Sequence, residues 1–175
     1  MVESPASIPR TLAYPNRFDP ESAQRDRIIA AIDVGTNSIH MVVVKIQPQL
    51  PAFTIIDREK ETVRLGNFSA QTGGLAEEAM ARAIKSLKRC RAIAESFRAE
   101  EILAVATSAT REAANGNAFL ERVEQEVGLS LNLISGTEEA RRIYLGVLSG
   151  MEFHRRPHAI IDIGGGSTEL ILGTG

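Results

Sequence analysis

At 175 residues, 43% hydrophobic and 24% charged, the chain has an ordinary globular composition and is long enough for one good core with part of another. Its net charge of −2 excludes a generally basic surface that would hold nucleic acid by charge alone, so an anionic ligand must be met by a local set of donors. Cys90 is the single cysteine, which excludes an internal disulfide framework and a multi-cysteine zinc site. The chain lacks an apolar run of about 18 residues and a basic-then-apolar leader, so the expectation is a cytoplasmic protein with no membrane partner.

Residues 1–26 hold Pro5, Pro9, Pro15 and Pro20 without apolar periodicity and read as a mobile tail. From Ile28 the text changes: Ile28–Ile32 reads as a buried strand, Val34–Ser38 as a tight loop, and Ile39–Ile46 as a second, β-branched strand, together a hairpin. After Pro48 and Pro51, Phe53–Leu65 reads as a third strand, polar enough at its centre for a sheet edge. Leu75, Met80, Ile84, Leu87, Cys90, Ala94 and Phe97 recur at helical spacing, with Arg82, Lys85, Lys88, Arg89 and Arg91 on other faces. A short strand (Ile102–Ala106), a helix (Asn117–Val127, ended by Gly128) and an alternating strand (Leu129–Ile134) follow. Ser135-Gly-Thr-Glu138 has the spacing of a capping box and predicts a helix over about 137–148. Strands at Ala159–Ile163 and Glu169–Leu172 flank a Gly-rich loop, so the order is βββαβαβα plus the first hairpin of a second sheet.

Two segments share the pattern apolar-Asp-x-Gly-x-x-Ser: Ile32-Asp33-Val-Gly35-Thr36-Asn37-Ser38 and Ile161-Asp162-Ile-Gly164-Gly165-Gly166-Ser167, the latter followed by Thr168. Each joins two strands, so each predicts a hairpin turn whose unhindered N–H groups can meet phosphate oxygens. The hydroxyls of Thr36, Ser38, Ser167 and Thr168 and the amide of Asn37 add donors, and Asp33 and Asp162 add carboxylates for water or a divalent ion. Neither copy fits a P-loop, and the second lacks the last glycine of a dinucleotide fingerprint. Glu169 lies across the loop from Asp162, where paired residues sit about 5 Å apart, so the two carboxylates could hold a metal. Arg111 follows the fourth strand at its C-terminal end, a place suited to a phosphate contact. Glu138 fits the capping position, whereas Glu139 is left to project toward a cleft and orient water. His40, His154, His158 and Cys90 have no metal-ligand spacing and read as structural or surface residues.

These motifs, AAIDVGTNSIHMVVVKI, AVATSATREAANGNAFL, ISGTEEARRIYLGV and AIIDIGGGSTELILG, give the chain a resemblance to the exopolyphosphatase/guanosine pentaphosphate phosphohydrolase (Ppx/GppA) family over about residues 28–173. The resemblance implies an α/β, actin-like ATPase fold built of ribonuclease-H-like domains. Residues 27–150 would be the first domain and 151–175 the start of a second. It further implies release of terminal phosphate from inorganic polyphosphate or guanosine pentaphosphate, with Glu139 as catalytic base. Gly35–Ser38, Gly164–Thr168 and Arg111 would bind phosphate, Asp162 and Glu169 (with Asp33 a further candidate) would hold magnesium, and the full-length protein would be a homodimer. A non-catalytic phosphate or alarmone binder and an actin-like kinase or ATPase are the competing classes.

Overall fold

The computed structural model describes residues 25–50, 53–68, 72–154 and 156–174, so the expected tail, apart from Arg25 and Asp26, and the break at Pro51 lie outside the described residues. β1 (Arg27–Val34) and β2 (Ser38–Ile46) form the expected antiparallel hairpin, with Asp33 opposite His40 and Val34 opposite Ile39. Along β2 the side chains alternate: Ile39, Met41 and Val43 are buried, and His40 between them is exposed. β3 (Phe53–Thr62) pairs with β2 through a bulge at Val43/Val44 and is exposed along most of its length, as an edge strand rich in Glu, Lys and Arg should be.

α1 (Glu77–Ser96) carries the chain to β4 (Glu101–Ala106), which adds to β1 in parallel. It buries Ala79, Met80, Ala83, Ile84, Leu87, Cys90 and Ala94, the face that the 3.6-residue period marks out. Cys90 is thus a core residue. α2 (Ser108–Glu112) is one short turn, and α3 (Gly116–Val127) ends where Gly128 takes φ +68° and donates its N–H to Glu124 O at 2.9 Å. β5 is only Asn132–Leu133, shorter than the alternation of Leu129–Ile134 suggests. Leu129, Leu131 and Ile134 are buried, and β5 pairs with β4 at two positions only, so that pattern served packing more than pairing.

The sheet order is β3-β2-β1-β4-β5, the ribonuclease-H-like arrangement, with the core centred on Ile32, Val34, Ile39, Met41, Leu65, Leu87, Phe119 and Val123. α4 (Gly136–Gly150) then leads to a separate antiparallel hairpin of β6 (His158–Ile163) and β7 (Thr168–Gly173). α4 contacts β7, where Tyr144 lies against Gly173 and the ring of His158 stacks near Tyr144 and on Phe153. The fold therefore brings the ends of β1 and β4, the start of β2 and the start of α4 to one side, facing the tip of the second hairpin. Among the described residues no helix is long and apolar enough to cross a membrane.

Candidate active site

Both motifs close their turns with the same bond. Gly35 N–H donates to Ser38 O at 3.1 Å, and Gly164 N–H donates to Ser167 O at 3.0 Å. The strand register is also equivalent: Asp33 faces His40 in the first hairpin as Asp162 faces Glu169 in the second. The two tips meet. A Cβ on Gly165 would lie 2.5 Å from Asn37 Nδ2, and one on Gly166 would lie 2.5 Å from Thr36 Oγ1 and 2.8 Å from Ser108 Oγ, so these glycines permit the close approach.

The first turn is held from behind. Thr36 O accepts from Gly66 N–H at 2.9 Å, and Asn37 O accepts from the N–H groups of Val63 and Arg64 at 3.0 and 2.8 Å. Its front is tied to α2 by the Thr36 and Ser108 hydroxyls, 2.8 Å apart. With its carbonyls turned to this support, the turn keeps Asn37 and the Thr36 and Ser38 hydroxyls for the cleft.

Between the tips lies a cavity of about 270 Å³. Its walls are Asp33, Gly35, Thr36, Asn37, Ser38 and His40 from the first hairpin, Asp162, Gly164, Gly165 and Ser167 from the second, Thr107 and Ser108 from the start of α2, and Glu139 from α4. Ten of the residues expected to form the site therefore share one cavity with Thr107 and Ser108, for which no role was expected, and with His40, expected to be a structural or surface residue. Of the remaining expected residues, Gly166 sits at the meeting of the tips, Thr168 is exposed opposite Ile163, and Glu169, the cross-strand partner of Asp162, is nearly buried. His40 was legible in principle, because the hairpin register that pairs Asp162 with Glu169 also pairs Asp33 with His40.

Arg111 does not itself line the cavity but is bonded to Glu139, which does. Its Nη1 donates to Ile134 O at 2.9 Å and to Glu139 Oε2 at 3.1 Å. The pair is largely withdrawn from solvent, at 25% and 15% side-chain exposure. Glu139 is therefore not free, as its sequence position suggested, but clamped. Burial pushes its carboxyl above the ordinary range; Arg111 opposes that shift, and the charges of Glu169 and Asp33 add to it. Asp33 is also raised, first because the surrounding walls strip water from it, then by the charge of Asp162, with His40 acting the other way. The neighbouring Glu138 behaves oppositely. Ser135 Oγ accepts its N–H at 3.2 Å as a helix cap should, but its carboxylate, instead of completing the box, accepts from Arg141 and Arg142 and is lowered to about 2.

Four carboxylates thus act on one another around the cleft, and an anionic substrate would be repelled unless a cation stood between them. No group of three or more His, Cys, Asp or Glu among the described residues is arranged as a metal cage. Magnesium needs no such cage: it commonly takes one or two carboxylates and completes its shell with water and substrate phosphate. The hard-oxygen pair Asp162 and Glu169, with Asp33 across the cleft, fits that use.

A sheet of order β3-β2-β1-β4-β5, with a second Asp-Gly hairpin set against its first, defines the chain as an α/β protein of the actin-like, ribonuclease-H-like class. Residues 42–175 match the Ppx/GppA phosphatase family, and the chain belongs to that family. It is 38% identical over 156 residues to a guanosine-5′-triphosphate,3′-diphosphate pyrophosphatase of Aliivibrio fischeri, covering 89% of this chain and 31% of that protein. It is 35% identical over 152 residues to exopolyphosphatase 2 of Mycobacterium tuberculosis, covering 83% of this chain and 48% of that protein. A crystal structure of an exopolyphosphatase from Cytophaga hutchinsonii superposes with a TM-score of 0.79 at 33% identity, over 85% of this chain and 47% of that one. The chain spans about half or less of the length of these relatives.

Proposed function

We propose that this chain is the N-terminal part of a phosphoanhydride hydrolase that releases terminal orthophosphate from inorganic polyphosphate or guanosine pentaphosphate. The observation that carries the reading is the convergence of Glu139, restrained by Arg111, with two equivalent hairpin turns on one cavity. Residues 27–150 serve as the first domain, and 151–175 open the second.

In this reading the terminal phosphoryl group lies between the turns at Gly35–Ser38 and Gly164–Thr168, whose N–H and hydroxyl groups receive its oxygens. Glu139, in the first turn of α4, orients a water and accepts its proton as the water oxygen bonds to phosphorus. The bridging P–O bond breaks, and the electron pair leaves with the shortened chain. Arg111 fixes the Glu139 carboxylate through Nη1, and the rest of its guanidinium remains available to a phosphate oxygen, so it acts as a positioning residue for the base as well as a phosphate donor. Asp162 and Glu169, with Asp33 across the cleft, would hold magnesium, which when bound would neutralise the charge that develops on the phosphoryl oxygens.

The test is phosphate release by the full-length protein from polyphosphate and from guanosine pentaphosphate, with and without magnesium. Turnover of at least one substrate that stops on chelation is the expected result. Release from neither substrate, with binding intact, would favour the non-catalytic binder.

A further inference from the structure

A second groove opens at the same end of the five-stranded sheet. Its volume is about 480 Å³, and it is lined by Thr62, Arg64, Asn67 and Arg82. Thr62, the last residue of β3, pairs with Ser38 of the first phosphate turn, and Arg64 N–H is one of the two donors to Asn37 O. The groove therefore begins on the backbone that supports that turn, and the turn itself lines the cavity.

The residues in it are unusual in two ways. Arg64 is a non-glycine residue at φ +49°, a conformation that side chains disfavour and that tends to be kept where a site needs it. Arg82 Nε donates to Val63 O at 3.1 Å, which sets the Arg82 head beside the same segment. Among the described residues neither guanidinium is paired with a carboxylate, whereas Arg89, Arg111 and Arg122 are. Two exposed, planar, permanently charged forks are thus left facing a groove next to a phosphate turn.

The cavity itself is too small for a long chain and is lined by Asp33, Glu139 and Asp162, so an extended substrate must leave it, and cationic walls are where it would go. We infer that the Arg64/Arg82 groove is a second phosphate site, taking a phosphate group of the same substrate beyond those held in the cavity. That group would be either a later unit of a polyphosphate chain or the 3′-diphosphate of guanosine pentaphosphate. The inference rests on the function proposed above.

The experiment measures binding rather than turnover, in the full-length protein carrying Glu139→Gln so that ligands persist. Long polyphosphate, guanosine pentaphosphate and tripolyphosphate are titrated calorimetrically into this protein and into versions with Arg64→Asn, chosen because Asn accepts a positive φ, or with Arg82→Lys, which keeps charge but loses the fork. Loss of the charged contact at Arg64 should weaken long polyphosphate by about tenfold or more, against less than about twofold for tripolyphosphate, which the cavity alone can hold. Weakening of guanosine pentaphosphate as well assigns the groove to phosphate in general; weakening of polyphosphate alone assigns it to the chain. Equal weakening of long and short ligands would mean that Arg64 acts only through the turn and would overturn the inference, as would no weakening of either extended ligand. A wild-type protein that binds these ligands but hydrolyses none defeats the hydrolase reading while leaving this comparison decidable.

Discussion

The carboxylates of Glu138 and Glu139 leave the same helical turn in opposite directions, one into the arginines of its own helix and the other into the cleft. Glu139→Gln keeps the size and the Arg111 contact but cannot accept a proton, so turnover should fall roughly 10²- to 10⁴-fold with polyphosphate binding nearly intact. Glu138→Gln should retain activity. Its pairing supports stability only above the ordinary carboxylate range, is lost as the pH falls from 4.5 toward about 2, and is weakened by solvent at an exposed site. Equal loss in the two variants would remove Glu139 as the base.

Arg111 makes a separate, pH-dependent prediction. Burial raises Glu139 and the Arg111 hydrogen bond lowers it, so Arg111→Ala should raise it further. A base works only when deprotonated, hence the acidic limb of the kcat profile should move to higher pH in Arg111→Ala, and less so in Arg111→Lys. A limb that stays in place would show that the clamp does not set the ionisation of Glu139.

At the scale of elements, the two hairpins and α1 were legible because their signals are local: Asp-x-Gly-x-x-Ser between β-branched runs, and apolar residues at helical spacing. The alternation in 129–134 misleads, because Leu129 and Leu131 go to the core whether or not their backbone joins a ladder. The clamp on Glu139 was also invisible in the sequence, since it joins residues 28 positions apart through a turn of helix that the text of 107–112 does not announce. The helix that carries Glu139 does announce its start. Ser135→Ala removes the cap on Glu138 N–H and should cost about 0.5–1 kcal/mol, the low end for an exposed cap, in denaturant unfolding, whereas Ser135→Asp should restore it. An unchanged midpoint in the alanine variant would mean that α4 is held by its packing alone.

At the scale of the whole molecule, the core lies between the five-stranded sheet and the helices α1 and α3, and the β6–β7 hairpin stands outside it. Ile161, Ile163, Leu170 and Leu172 are largely exposed, so the hairpin is placed by its contact with α4 and by the glycine tip resting on Thr36, Asn37 and Ser108. A methyl group at that tip should therefore matter far more to the cleft than to the fold. In Gly166→Ala the new Cβ meets the Thr36 and Ser108 hydroxyls, which are fixed by their own mutual bond, so the second hairpin must retract from the first. Turnover in the full-length protein should fall roughly 10²-fold, as expected when reacting groups are displaced by about an ångström, while the melting temperature barely moves. Gly146→Ala is the control: nothing lies within 4 Å of its Cβ, and alanine in mid-helix should stabilise by about 0.5–1 kcal/mol with activity kept. If Gly166→Ala retains wild-type turnover, or loses it only in proportion to unfolding, the tip contact does not set the working geometry of the cleft.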